Sequence, residues 1–244
     1  MKTLSMYFLA IMFISFSFIS CEKDTLCTKG EGTITTRTLV IPSFKGIDLA
    51  EAGDVIITQG ATQAVVADGH SNIIDKIEKD VSGGVWAIDF GRGCYDDYEL
   101  TLNITVPDLN EVLLSGAGDI TIGDFTDQGD LDLNISGSGE ITLNSFSGTQ
   151  NLDVDISGSG EVQANSSFPS LKRIDLKIGG SGKFNGFPLE TDECYIIVPG
   201  SGDSYVHVND KLDVNISGSG TVYYKGFPAI TEQITGAGSI VNSN

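Results

Sequence analysis

The side chains of this chain best placed to do chemistry are carboxylates that recur at matching points of a repeated phrase. One set follows the last glycine of each copy: Asp54, Asp119, Glu140, Glu161, Lys183, Asp203, Thr221 and Ser239. A second set lies inside the alternating segment before the glycines: Glu111, Asp132, Asp153, Asp175, Tyr195, Asp213 and Thr231. If successive copies stack, each set becomes a column. Neighbouring acids then sit about 5 Å apart and repel by roughly 1–3 kcal/mol, depending on the local dielectric. Lys183 relieves the first column, which makes Asp119, Glu140, Glu161, Lys183 and Asp203 a candidate binding face. The second column has no basic member, although Lys177 and Lys211 lie nearby. Calcium bridging Asp132, Asp153 and Asp175 is one candidate relief, because that ion takes clustered carboxylate oxygens. The other is plain solvation, with the acids discouraging edge-to-edge association of a long β surface.

Carboxylates this plentiful do not single out an acid–base pair. The chain is therefore read as a non-enzyme, with a polysaccharide lyase or glycoside hydrolase as the alternative. Only three arginines, Arg37, Arg92 and Arg173, are available to engage acidic sugars. Tyr205, Tyr223, Tyr224, Phe184 and Phe227 are candidates for stacking on sugar rings, although Phe184 shares its repeat position with Val222 and so belongs to the core. His70 and His207 are isolated and no two cysteines have metal-ligand spacing, which argues against a zinc site. With 33 acidic against 14 basic side chains the net charge is −19. Such a surface repels phosphate backbones, so nucleic acid is not an expected partner.

The phrase that carries the columns is apolar-x-apolar-Ser-Gly-Ser-Gly-x-apolar. Its copies close at Gly118, Gly139, Gly160, Gly182, Gly202, Gly220 and Gly238, in steps of 18 to 22 residues. The alternation in Leu131-Asp-Leu-Asn-Ile135 marks a strand with one buried face. The glycines mark a corner needing small residues and positive φ, and a second short strand such as Ile141-Thr-Leu143 follows. A period near twenty with two or three strands suits one coil of an all-β parallel β-helix, each coil burying its apolar face against the next. An antiparallel sandwich leaves the near-fixed glycine spacing unexplained. Seven near-copies are architecture rather than a phosphate loop, and the period is twice that of calcium-binding nonapeptide repeats or more.

A degenerate copy, Ile47-Asp-Leu-Ala-Glu-Ala-Gly53, precedes Gly118 by a gap of about three steps, so early, eroded coils are expected between them. Residues 59–106 are the least repetitive. Ile73, Ile74 and Ile77 predict one short helix over 71–80 with Ser71 as its cap. Trp86 reads as core, and residues 91–97 read as a loop.

Residues 1–20 form a signal peptide: Met1-Lys2 is followed by an apolar run from Leu4 to Ile19 that is too short for a stable span. It ends in Phe18-Ile19-Ser20-Cys21, which resembles a bacterial lipobox and makes Cys21 the lipidation site. Residues 21–36 are then a lipidated tether and 37–244 the β-helix, less regular over 37–110 and regular from 111. Cys27 and Cys94, both in non-repeating polar sequence, are expected to form a disulfide in an exported protein. Cys194 opens an apolar strand and reads as a buried thiol.

Phe44-Lys-Gly-Ile-Asp48, Gly53-Asp-Val-Ile-Ile-Thr-Gln59 and the later Ser-Gly-Ser-Gly-Glu copies resemble the putative auto-transporter adhesin, head GIN domain family. The resemblance covers roughly residues 37 to 240. It implies a single-stranded, right-handed β-helix of pectate-lyase-like shape on exported Gram-negative proteins, and it brings no catalytic residues with it. The expected role is non-catalytic: a lipid-anchored outer-membrane or cell-surface protein, with a periplasm-facing placement as the alternative, that binds a glycan, another protein or its own copies. A purely structural envelope spacer is the remaining alternative.

Overall fold

The computed structural model describes residues 27–244; the signal peptide, Cys21 and the start of the tether lie outside the described residues. Each coil gives one strand to each of two parallel sheets. The first sheet runs Val85–Ile88, Gly46–Leu49, Glu111–Leu114, Leu131–Ile135, Asn151–Ile156, Arg173–Ile178, then residues 193–198, 211–216 and finally Ala229–Ile234. The second runs Leu100–Val106, Asp54–Gln59, Asp119–Ile122, Glu140–Leu143, Glu161–Ala164, then residues 183–186, 203–207, Thr221–Lys225 and Ser239–Asn242. This is the stacked-coil parallel β-helix expected from the repeat.

The core follows from the alternation. In Leu131–Ile135 the three apolar residues are buried while Asp132 and Asn134 are exposed. Register carries each buried residue onto its neighbour, so that Ile47, Val112, Leu133, Val154, Leu176, Ile196 and Val214 stack in one line. All are buried, and each such side chain stabilises by about 1.5–3 kcal/mol relative to exposure. Where the coil turns back towards the first sheet, Phe125, Phe146 and Phe168 form a buried aromatic stack with centroid separations of 5.0 and 5.2 Å.

The early coils differ from expectation. Ile47 pairs directly with Val112 and Asp54 with Asp119, so no coil lies between the degenerate copy and the first clear one. The intervening chain runs to the opposite side instead. Val85–Ile88 and Leu100–Val106 add beyond Gly46–Leu49 and Asp54–Gln59. Ala64–His70 then caps that end, antiparallel to Leu100–Val106 and to Ile34–Leu39. The gap thus holds one coil placed out of sequence order plus an antiparallel cap. The fold also starts before residue 37: Ile34–Leu39 is a strand, and Thr28–Lys29 pairs with Tyr95–Asp96 beside a disulfide joining Cys27 to Cys94. Residues 91–97 therefore contain a short strand.

The predicted helix is a single turn, Ser71–Ile74, and His70 rather than Ser71 occupies its cap position. Ser71 Oγ instead accepts a hydrogen bond from Arg37. Ile73, Ile74 and Ile77 are buried against the cap as their spacing implied. Trp86 is fully buried, with Nε1 donating to the Glu78 carbonyl at 3.0 Å.

The corner glycines are required for a reason other than positive φ. Of the glycines in the repeated phrase only Gly53 has positive φ. What excludes a side chain is the backbone of the preceding coil. A Cβ on Gly137 would lie 1.7 Å from the Gly116 oxygen, on Gly139 1.8 Å from the Gly118 oxygen, and on Gly218 1.8 Å from the Gly200 oxygen. The same approach permits coil-to-coil bonds such as Ser138 N–H to Gly116 O at 3.1 Å and Ser159 N–H to Gly137 O at 3.0 Å. Replacing Gly137 by alanine is expected to destabilise by about 3 kcal/mol or more, through overpacking against backbone that has no alternative rotamer. Gly129→Ala, where a Cβ meets nothing within 4 Å, should be nearly neutral. Parallel chemical melts of the two variants check both outcomes.

Candidate functional site

The first column lies where it was expected, on the outer surface of the second sheet. Asp54 and Asp119 are partners, as are Glu140 and Glu161, Glu161 and Lys183, and Lys183 and Asp203. Lys183 Nζ is 3.5 Å from Glu161 Oε1. Several acids of this repeat have a structural task that the sequence did not announce. Asp119 Oδ1 accepts the backbone N–H of Glu140 at 2.9 Å, and Asp203 Oδ1 that of Thr221 at 2.8 Å. Asp124 and Asp130 do the same for Ser145 and Asn151, both at 3.1 Å. Carboxylates thus hold one coil to the next, and a charged acceptor makes the stronger kind of hydrogen bond.

The second column is also in register on the first sheet, with Asp132, Asp153, Asp175, Tyr195 and Asp213 in line. Part of its repulsion is met by protein cations, at Asp175 and Asp213. Arg173 grips Asp175 through Nε at 2.6 Å and Nη2 at 2.8 Å, and Lys177 reaches Asp155 at 2.7 Å. The Tyr195 ring lies between the Arg173 guanidinium, 4.2 Å from its centroid, and Lys211 Nζ at 4.5 Å. Among the described residues no group of three or more acids, histidines or cysteines is arranged to hold a metal ion, so the calcium expectation for Asp132, Asp153 and Asp175 gains no support from the geometry. Asp153 keeps the residual strain. Partial burial, and then the charges of Asp132, Asp175 and Asp155, push its carboxyl above the ordinary range.

The aromatic candidates separate. Phe184 is fully buried, as its repeat position required. Tyr224 packs half-buried against the core and Phe227 is exposed. Tyr205 and Tyr223, one coil apart, stack at 4.7 Å with planes 6° from parallel. The residue that completes this group, Phe187, was not singled out from the sequence. Its ring meets Tyr205 edge-on at 5.4 Å and 84°, and Lys225 Nζ lies 4.4 Å over it. A signal was present: Gly186-Phe187-Pro188 breaks the alternation and recurs as Gly226-Phe227-Pro228. Together with Gln163, Lys183, Asn185 and Pro188, Phe187 and Tyr205 line a cleft of about 410 Å³.

Two other clefts are more polar. One of about 500 Å³ at the capped end includes His70, Tyr95, Tyr98 and Glu99. Its tyrosines are committed: Tyr98 Oη donates to the Ala52 carbonyl at 2.7 Å, and burial, with the nearby Glu51 charge, holds its pKa up at about 12. The other, about 480 Å³ around Lys45 and Asp130, contains the Lys45–Asp108 ion pair at 2.9 Å. Cys194 is buried and its thiol is pushed far up by burial, which leaves it inert.

A group whose folded-state carboxyl titrates above its unfolded value loses stability as pH rises through that window. Asp153→Asn is therefore expected to raise the melting temperature at neutral pH by roughly 1–3 °C, the scale of a surface charge contact in a chain this long. The gain should vanish at about pH 3, below the ordinary aspartate range. Thermal melts of both proteins at the two pH values check the sign.

Comparison with known proteins agrees with this architecture. The family described as putative auto-transporter adhesin, head GIN domain, matches residues 43–228. No functionally curated protein matches the chain. Among solved structures, a putative adhesin from Bacteroides fragilis is similar with a TM-score of 0.80 and 25% identity, over 88% of this chain and 100% of that one. A putative lipid binding protein from Parabacteroides distasonis gives a TM-score of 0.71 at 22% identity, over 89% and 99%. A putative adhesin from Parabacteroides merdae gives 0.64 at 19%, over 89% and 99%, and these last two show the fold alone. Because the family match spans most of the coiled body, from Ser43 to Pro228, the chain belongs to the putative auto-transporter adhesin, head GIN domain family.

Proposed function

We propose that this protein is an exported lipoprotein, anchored through Cys21, whose β-helix binds a ligand at the outer surface of the cell without transforming it. The observation that carries the reading is the continuous outward register of the second sheet. It lines up Asp119, Glu140, Glu161, Lys183 and Asp203 and ends beside an aromatic cleft. Such a face is rigid because each coil is hydrogen-bonded to the next, and a pre-formed surface binds without the cost of ordering itself. The carboxylates of this face are in large part acceptors for the backbone of the next coil or partners of Lys183 rather than a free acid–base pair. Family membership supports a binding role, and the lipobox-like Phe18-Ile19-Ser20-Cys21 supports the anchor. Several acyl chains on one cysteine hold a protein to a membrane in effect permanently, at about 0.8 kcal/mol per buried CH₂.

Metabolic labelling with a fatty acid tests the anchor. The full-length chain should take up label and remain with the envelope, whereas Cys21→Ser should be unlabelled and released. Equal fractionation of the two would remove the anchor from the reading. For binding, the detergent-solubilised lipoprotein is applied to arrays of bacterial and host glycans and extracellular-matrix proteins. Saturable retention of one class is expected. Silence on every class, together with unchanged attachment of cells lacking the protein, would overturn the binding role.

A further inference from the structure

The cleft between Lys183 and Phe187 has more chemical definition than the rest of the outer surface. Its walls are two aromatic rings set at 84° to each other, Phe187 and Tyr205. Tyr205 is held from behind by Tyr223, stacked at 4.7 Å, so the corner is fixed before any ligand arrives. Its floor is made of two amides on adjacent coils. Asn185 Nδ2 donates to Gln163 Oε1 at 2.9 Å and also to Glu161 Oε1, and Gln163 Nε2 donates to the Ala164 carbonyl at 2.7 Å. Both N–H groups of Asn185 are thereby used, so what this cleft-lining residue has left to offer a ligand is its carbonyl oxygen, an acceptor. Lys183 Nζ, 5.2 Å over the Tyr205 ring, is a donor on the same rim.

We infer that this cleft is a subsite for one neutral hexopyranose unit of a glycan; the inference rests on the binding role proposed above and names its ligand class. A pyranose presents an apolar face of C–H groups and a rim of hydroxyls, each both donor and acceptor. An aromatic wall takes the C–H face, while an acceptor beside a donor takes neighbouring hydroxyls. The cleft's 410 Å³ falls in the range of small-ligand sites, in which a few placed polar groups orient a ligand against apolar walls. Charge selects a neutral sugar over an acidic one. Lys183 is paired with Glu161 at 3.5 Å and stands in register with Asp203, while Lys225 lies over Phe187. Counted together, the Lys183 and Lys225 ammonium groups balance the Glu161 and Asp203 carboxylates, so local charge offers an anion no net attraction. A net charge of −19 repels it at longer range.

The test is titration calorimetry of the detergent-solubilised full-length lipoprotein with neutral trisaccharides of glucose, galactose, mannose and N-acetylglucosamine, and with a galacturonic acid trisaccharide as the charged comparison. At least one neutral trisaccharide should bind, and the charged one should bind more weakly. Tyr205→Ala and Asn185→Ala should each weaken binding at least about tenfold. Tyr205→Phe, which keeps the ring, should recover most of the binding lost in Tyr205→Ala. Ile197→Ala, on the exposed face of the first sheet and outside the cleft, should leave binding unchanged. Thermal melts confirm that the variants fold, and the Tyr205→Phe result separates a lost ring from a lost fold. If the arrays retain the protein but no neutral trisaccharide binds, or Tyr205→Ala and Asn185→Ala bind as the parent does, the cleft assignment is wrong and the binding role stands. If the arrays and the cell-attachment assay are both silent, the binding role falls and the subsite with it.

Discussion

The close approach of backbone to backbone at the glycine corners sets the geometry of the whole molecule. At these corners the carbonyl oxygen of one coil occupies the place where a side chain of the next would begin. Only a residue without a Cβ closes that gap, and closing it brings the Ser and Gly amides within hydrogen-bonding reach of the coil before. Parallel strands on either side of each corner are then held in step. A slip by one residue would turn every apolar side chain outward, and the glycines oppose that slip because no neighbouring residue could take their place. The in-register core, the phenylalanine stack and the outer columns all follow from this shared step.

The acidity of the chain has a structural component beyond solubility. Parallel coils leave backbone N–H groups at strand ends and corners that the regular ladder does not reach, and a buried or half-buried amide without a partner costs stability. Asp119, Asp124, Asp130 and Asp203 answer four of these groups from one coil earlier. An aspartate at a fixed place in the repeat is an efficient solution, since the acceptor it supplies always meets the same donor one coil on. The resulting excess of negative charge is offset where acids crowd, by Arg173, Lys177, Lys183 and Lys211.

The aromatic cleft arises where the regular pattern is broken. Residues 183–198 form one long strand that bends from the second sheet into the first strand of the next coil, with register shifts between Gly186 and Glu190 and between Thr191 and Glu193. Phe187 and Pro188 fall in this irregular stretch. The Phe187 ring continues the outward line of Lys183 and Asn185 just before the alternation breaks at Pro188, and Tyr205 from the following coil meets it edge-on. A repeat protein gains a distinct local site in this way: identical coils present identical columns, and only a departure from the repeat makes one place unlike the others.

Much of the fold was legible in the residues themselves. Alternation placed the buried faces, the recurring glycines gave the coil, and aligning the copies paired Asp132 with Asp153 and Glu161 with Lys183 as the register does. These features are periodic, so each copy confirms the others. The early part was not legible, because Ile47 and Val112 are neighbours across 65 residues of chain that loops to the far end. Parallel pairing is non-local, and sequence distance does not record on which side of a strand the next one is laid. The role of the corner glycines was likewise decided only in three dimensions: sequence distinguishes glycine from other residues but not a demand for positive φ from a demand for space. The same holds for the cleft. Phe187, Tyr205 and Asn185 carry no motif in common, and what makes them one site is the stacking of coils that places their side chains together. Composition and period determined that this chain is an acidic β-helix; where the corner between Phe187 and Tyr205 stands was decided by how the coils pack.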